Sequence, residues 1–207
     1  MEEIEVKFYI TNLESLQDKL IQSGAVLLEP RILETNLRFD SANHALMQSQ
    51  QVLRLRKDSQ AHLTYKDSTR LQDGVMVRRE IEFEVSDFKA AREFLQALGY
   101  EVAVIYEKYR TAYTLSGCEV LLDELPYGNF CEIEGEDIQT IHAVADMLGL
   151  HWTDSIPNSY LGLFSQLRYT KKVKAENLTF QAFDGIHLSA EDLGVIPADL
   201  GSSPIIS

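Results

Sequence analysis

The sequence predicts an α+β fold in which an antiparallel sheet closes around a charged lumen and amphipathic helices flank its outer side. Three observations carry this reading. Strand-like runs rich in β-branched and aromatic residues dominate the chain and follow one another as hairpins and meanders. Three amphipathic helical segments are inserted between them, and each ends at a glycine. Nearly every strand run alternates apolar with ionised residues, which gives the sheet one apolar and one charged face.

In chain order, the first strand places Ile4, Val6 and Phe8 on one face and Glu3, Glu5 and Lys7 on the other. Asn12 is a good N-cap for the first helix, whose Leu13, Leu16 and Leu20 share a face before Gly24. The runs AVLLEPRILETNLRFD, QVLRLRK, HLTYKD and VMVRREIEFEV read as strands, with SANHALMQSQ and DSTRLQDG as loops. A second helix follows Ser86, with Phe88, Ala91, Phe94, Leu95 and Leu98 periodic before Gly99. YEVAVIYEKYRTAYTL and CEVLLDELP continue the sheet, and a third helix runs through Ile138, Ile141, Val144, Ala145 and Leu148 to Gly149. A strand with Glu-x-Glu precedes each helix: Glu3/Glu5, Glu80/Glu82 and Glu132/Glu134. Beyond about Tyr169 the periodicity dissolves, so residues 169–207 are expected to be an extension, docked at first and disordered at its end. Lys171, Lys172 and Lys174 read as a solvated linker.

The chain has 207 residues, enough for one domain with an appendage, and 45% of them are hydrophobic. No apolar run approaches a membrane span and no signal peptide is evident. Cys118 and Cys131 form no CxxC pattern and read as buried thiols, which suits a cytoplasmic location. A net charge of −13 argues against a broad electrostatic grip on nucleic acid or anionic membrane. An anionic ligand therefore needs a local basic cluster. The five histidines show no ligand spacing, and neither a P-loop nor a Ser/His/Asp order is present.

That basic cluster is visible on the charged faces. Arg54 and Arg56 share a face, as do Lys66 with Thr64 and Lys108 with Arg110. Glu80, Glu82 and Glu84 form an acidic face, as do Glu119 with Asp123 and Glu132 with Glu134. An open sheet with a solvated polar face is one explanation. A closed sheet is favoured, because these positions are almost all ionised and paired, and because helices follow three different strands. Such a lumen desolvates its ions, at several kcal/mol each when unpaired. It suits a highly anionic ligand chelated to a divalent metal: arginine forks and lysine point charges for phosphate oxygens, clustered carboxylates for Mg²⁺ or Mn²⁺.

Glu3-x-Glu5-x-Lys7 resembles the defining motif of the CYTH superfamily, the triphosphate tunnel metalloenzymes. The resemblance extends in order through LRLRK, LTYK, RREIEFE, EKYR, LLDEL and CEIEG, with SYLGL similar to the family's closing segment, over about residues 1–168. It implies a closed eight-stranded antiparallel β tunnel that binds triphosphates with a divalent metal. Carried over, Lys7, Arg54, Arg56, Lys66, Lys108 and Arg110 hold phosphates. Glu3, Glu5, Asp123, Glu132 and Glu134 supply metal ligands, while Glu80 and Glu82 orient the bases. Glu5 and Lys7 are the catalytic candidates. The expected activity is Mg²⁺- or Mn²⁺-dependent hydrolysis of a small-molecule triphosphate, such as inorganic tripolyphosphate or thiamine triphosphate, at its terminal phosphoanhydride bond. A class IV-type adenylate cyclase and a non-catalytic polyphosphate-binding module are the alternatives.

Overall fold

The computed structural model describes residues 2–68, 70–72 and 75–200, with side chains for 4–68 and 77–200. In chain order the elements are β1 (Glu2–Ile10), α1 (Leu13–Gln22), β2 (Val26–Ser41), α2 (Ala45–Gln48), β3 (Val52–Lys57), β4 (Ala61–Lys66), β5 (Arg70–Gln72), β6 (Val75–Glu84), α3 (Phe88–Ala97), β7 (Tyr100–Leu115), β8 (Cys118–Leu125), β9 (Gly128–Gly135), α4 (Ile138–Met147), α5 (Tyr160–Thr170) and α6 (Ala190–Leu193).

Eight strands form a ring in the order β1-β9-β8-β7-β2-β3-β4-β6, closed by pairing of β1 with β6. Every pairing is antiparallel, and at the closure Glu2 lies opposite Arg79 and Glu5 opposite Met76. The three-residue β5 adds to β6. The closed sheet expected from alternation is therefore present, and the three Glu-x-Glu strands, β6, β1 and β9, are neighbours in it.

The apolar faces point outward and helices cover much of them, although Ile81 and Phe83 of β6 stay exposed. Val6, Phe8 and Ile10 of β1 pack with Val120, Leu122, Cys131 and Ile133 beneath Leu16 and Leu20 of α1 and Ile141, Val144 and Ala145 of α4. On the opposite side Leu37, Phe39 and Leu55 pack under Leu95 of α3. Each helix starts on a side-chain cap: Asn12 accepts from Ser15 N, Asp87 from Lys89 N and Ala90 N, and Asp137 from Thr140 N. Leu20 and Ile141 are fully buried, and truncating either to alanine is expected to cost about 2–5 kcal/mol.

Two segments differ from the expectation. SANHALMQSQ contains the single turn α2, because Asp40 accepts hydrogen bonds from Leu46 N and Met47 N and so caps it from outside. In DSTRLQDG, Arg70–Gln72 is strand, and Thr69, Asp73 and Gly74 lie outside the described residues. Trp152 packs edge-on to Phe8.

The helix α5 is additional to the three expected from periodicity. Ser159 accepts from Gly162 N to cap it, and Tyr160, Leu163, Phe164 and Leu167 form its buried face. Residues 171–200 then run back over this helix. Leu178 exchanges backbone hydrogen bonds with Ile105 and Glu107 of β7, and Ala198 N donates to Tyr9 O of β1. Leu178, Phe183 and Leu193 bury against Leu163, Phe164 and Leu167, and Lys171 pairs with Asp192. Among the described residues no helix is long and apolar enough to cross a membrane.

Candidate active site in the strand ring

Alternation in each strand sends the second set of residues inward, where they line a cavity of about 1180 Å³. The register then decides which charges meet. Lys7 lies opposite Glu132 and Glu5 opposite Glu134 across β1–β9. Glu34 lies opposite Lys108 across β2–β7, and Arg110 opposite Asp123 across β7–β8. Lys66 lies opposite Glu80 and Thr64 opposite Glu82 across β4–β6. Opposite charges thus meet directly at Lys7–Glu132, Glu34–Lys108, Arg110–Asp123 and Lys66–Glu80, which stabilises those strand pairs, whereas Glu5 and Glu134 bring like charges together.

The carboxylates fall into two sets. Oxygens of Glu5, Glu132 and Glu134 lie within 4.8 Å of one another, with Glu5 and Glu132 buried. Such a set of hard oxygen donors, without sulfur or imidazole, fits Mg²⁺ or Mn²⁺. Glu3 belongs to the same strand, but its side chain lies outside the described residues. Asp123, expected among the metal ligands, is not in this group. It is fully buried, and its carboxylate accepts from Lys108 Nζ (2.9 Å), from the Arg110 guanidinium and from the Tyr160 hydroxyl (2.9 Å).

The cations are held in place by carboxylates, two of them members of the cluster itself. Glu82 accepts from Arg54 and Arg56, both at 3.2 Å, and from Thr64 at 2.6 Å. Glu80 sits 2.9 Å from Lys66 Nζ. Lys7 Nζ is 3.0 Å from Glu132, and Arg110 also donates to Glu132. Arg78 donates to Glu5 at 3.2 Å.

Burial alone would lower the pKa of Lys7, but the charges of Glu132 and Glu5 raise it above its ordinary value. Burial would likewise raise the pKa of Glu132, and Lys7, Arg110 and Lys108 hold it well below the usual carboxylate range. Glu34 is pushed up by burial and pulled down further by Lys108, Arg110, Arg56 and Arg54, to about 2. All three groups are therefore charged at neutral pH.

The cavity also contains residues that the alternation argument did not single out. Arg38 of β2, opposite Arg54 of β3, lines it, and so do Arg78 and Glu34. Arg38 Nε has no hydrogen-bond partner among the described residues. Its pKa is lowered, first by burial and then by the like charges of Arg54 and Arg78. A guanidinium with an unpartnered Nε beside two like charges is an arrangement that favours an anion. The signal was present in the sequence: Glu34, Asn36 and Arg38 alternate with Thr35, Leu37 and Phe39 as in the other strands.

The chamber therefore combines a carboxylate cluster suited to a divalent cation with a wall that, among the described residues, holds eight cations: Lys7, Arg38, Arg54, Arg56, Lys66, Arg78, Lys108 and Arg110. It can bind a polyanion along the wall and a metal ion at the cluster, and it can stabilise charge developing on bound oxygens.

Comparison with known proteins agrees with this architecture. The family model of the CYTH domain matches residues 1–160. Among solved structures, the PH1012 protein from Pyrococcus horikoshii is 29% identical, with a TM-score of 0.66 over 77% of this chain and 97% of that one. A protein from Vibrio parahaemolyticus is 20% identical, with a TM-score of 0.70 over 79% and 97%. The adenylyl cyclase homologue HpAC1 from Hippeastrum, in which a triphosphatase activity dominates, is 20% identical, with a TM-score of 0.60 over 79% and 95%. At that identity the last two bear on the fold alone. No match was found among curated proteins.

Proposed function

The chain belongs to the CYTH domain family, and from that premise we propose that it hydrolyses a small-molecule triphosphate at the terminal phosphoanhydride bond with the help of Mg²⁺ or Mn²⁺. The observation that carries this reading is the juxtaposition, in one cavity, of the Glu5–Glu132–Glu134 cluster with the arginine and lysine wall. The family's members include triphosphatases and adenylate cyclases, and both chemistries need such a cradle.

In this reading Arg38, Arg54, Arg56, Lys66 and Arg78 bind phosphate oxygens. Glu80 and Glu82 hold Lys66 and the Arg54–Arg56 pair in position. Glu5, Glu132 and Glu134, with Glu3, hold the metal ion, which when bound neutralises phosphate charge and lowers the pKa of coordinated water. Lys7, the wall cation paired with Glu132 of the cluster, stabilises charge on the leaving oxygens. Asp123 keeps Lys108 and Arg110 pointed at the substrate rather than binding metal itself. Residues 1–168 carry this machinery and 169–207 form an extension to it.

The test is turnover of tripolyphosphate, thiamine triphosphate and ATP with Mg²⁺ and then Mn²⁺, following phosphate, pyrophosphate and cyclic AMP, with Glu5→Gln as control. Phosphate release lost in the variant is expected. Cyclic AMP with pyrophosphate from ATP would make the protein a cyclase, and binding without turnover of any substrate would make it a binding module.

A further inference from the structure

We propose that Tyr160 is a positioning residue that fixes the ammonium groups of Lys7 and Lys108 and the carboxylate of Asp123, and that residues 171–200 act on the site by clamping the helix that carries it. The tyrosine is buried at the junction of the strand ring and α5. Its hydroxyl donates to Asp123 Oδ2 at 2.9 Å, the same oxygen that accepts from Lys108 at 2.9 Å. Lys7 Nζ stands 4.4 Å from the centre of its ring and Lys108 Nζ 5.5 Å. A desolvated ammonium over an aromatic face is attracted by the ring quadrupole. One side chain thus touches both lysines and the carboxylate that orients one of them.

Tyr160 is in turn immobilised from behind. Its carbonyl accepts from the Tyr127 hydroxyl at 2.8 Å, and its ring meets Phe130 edge-on at 5.1 Å. Its helix is pressed onto the ring by the extension, through Phe183, Leu178 and Leu193. The extension is anchored at two separate strands. On β7, Ile105 N donates to Asn177 Oδ1 and Phe180 N to Glu107 Oε2. Beyond the end of β1, the Asp199 carboxylate accepts from Thr11 N and Asn12 N. The family match ends at residue 160, so Tyr160 is the joint between the shared tunnel and a segment outside that match.

The positioning half of this inference is independent of the proposed activity, whereas its effect on triphosphate rests on that reading. The experiment uses the full chain labelled with ¹³C at lysine, the Lys7 and Lys108 signals being assigned with Lys7→Arg and Lys108→Arg. In the wild type, ring current from Tyr160 shifts the Lys7 ε-methylene upfield of the exposed lysines. Tyr160→Phe, which keeps the ring, is expected to retain that shift, and Tyr160→Leu to abolish it. Phe183→Ala, outside the strand ring, is expected to broaden or reduce it.

Calorimetry with inorganic tripolyphosphate supplies the second readout. Tyr160→Leu is expected to bind about tenfold more weakly, and Tyr160→Phe, which keeps the ring but loses the donor to Asp123, to fall between it and the wild type. A Lys7 signal that is not shifted in the wild type, or is unchanged in Tyr160→Leu, overturns the positioning role. A signal unchanged in Phe183→Ala overturns the role of the extension, and remains readable if Tyr160→Leu does not fold. Shifted lysine signals without any tripolyphosphate binding by the wild type would instead support the positioning role and refute the proposed function.

Discussion

Lys7 and Glu132 are direct cross-strand partners, and their charged atoms meet at 3.0 Å inside the ring, with both side chains almost fully buried. Glu132 is shared, since Arg110 also donates to it, whereas Lys7 has no second carboxylate at ion-pair distance among the described residues. The two partners are therefore not equivalent. Lys7→Met leaves Glu132 with a cation, while Glu132→Gln leaves the Lys7 ammonium only the more distant charge of Glu5.

Denaturant unfolding is expected to show Glu132→Gln destabilised by about 3–5 kcal/mol and Lys7→Met by less. The double variant is expected to lose less than the sum of the two, because removing both partners leaves no uncompensated charge. Equal losses in the two single variants, adding fully in the double, would contradict this ordering.

Arg38 gives the opposite expectation. Its guanidinium is half-buried beside the like charges of Arg54 and Arg78, with its Nε unpartnered among the described residues. Arg38→Met removes like-charge repulsion and desolvation, so thermal melting is expected to stay the same or rise by a few degrees. Tripolyphosphate affinity, measured by calorimetry, is expected to fall at least about tenfold with the loss of a charged hydrogen-bond donor. A drop in stability with unchanged affinity would make Arg38 structural.

The carboxylate cluster predicts where metal goes. Manganese binding, followed by electron paramagnetic resonance of the free ion, is expected to weaken by roughly 10- to 100-fold in Glu5→Gln and in Glu134→Gln. Asp123→Asn is expected to leave it nearly intact, since that carboxylate is occupied by Lys108, Arg110 and Tyr160. Loss of manganese affinity in Asp123→Asn would return it to the ligand set.

Acid stability tests Glu34. Its folded pKa, about 2, lies below its ordinary value of 4.5. Its contribution is therefore complete above about pH 4.5 and is lost as pH falls through that interval toward 2, an effect of roughly 3 kcal/mol at neutral pH. Glu34→Gln is expected to be less stable at pH 7 and to show a shallower decline between pH 5 and 2.5. Glu132, displaced in the same direction, leaves the variant some decline of its own.

The legible part of the site follows from strand alternation. A period of two specifies the face of a residue without any tertiary information, so Lys7, Arg54, Arg56, Lys66, Lys108 and Glu132 could be assigned to one side together. Which inward residue meets which depends on register around the closed ring, so the contacts of Asp123 with Lys108 and Arg110 are not legible from alternation alone. Arg38 was passed over within a sixteen-residue strand whose first half, Val26–Leu33, is mostly exposed and carries two of its three register shifts. The i, i+3, i+4, i+7 series of Tyr160, Leu163, Phe164 and Leu167 behind a serine cap was sufficient to mark α5. The extension had no such signal: it docks through irregular backbone bonds to β1 and β7, which impose no periodicity on its side chains.

The most direct measurement is phosphorus NMR of tripolyphosphate incubated with the full chain and Mg²⁺, with Glu5→Gln alongside. The internal phosphate resonance is expected to decay while orthophosphate and pyrophosphate grow in equal amounts, and the variant is expected to leave the spectrum unchanged. A substrate that broadens on binding but is never cleaved, under Mg²⁺ or Mn²⁺, would contradict the proposed hydrolysis.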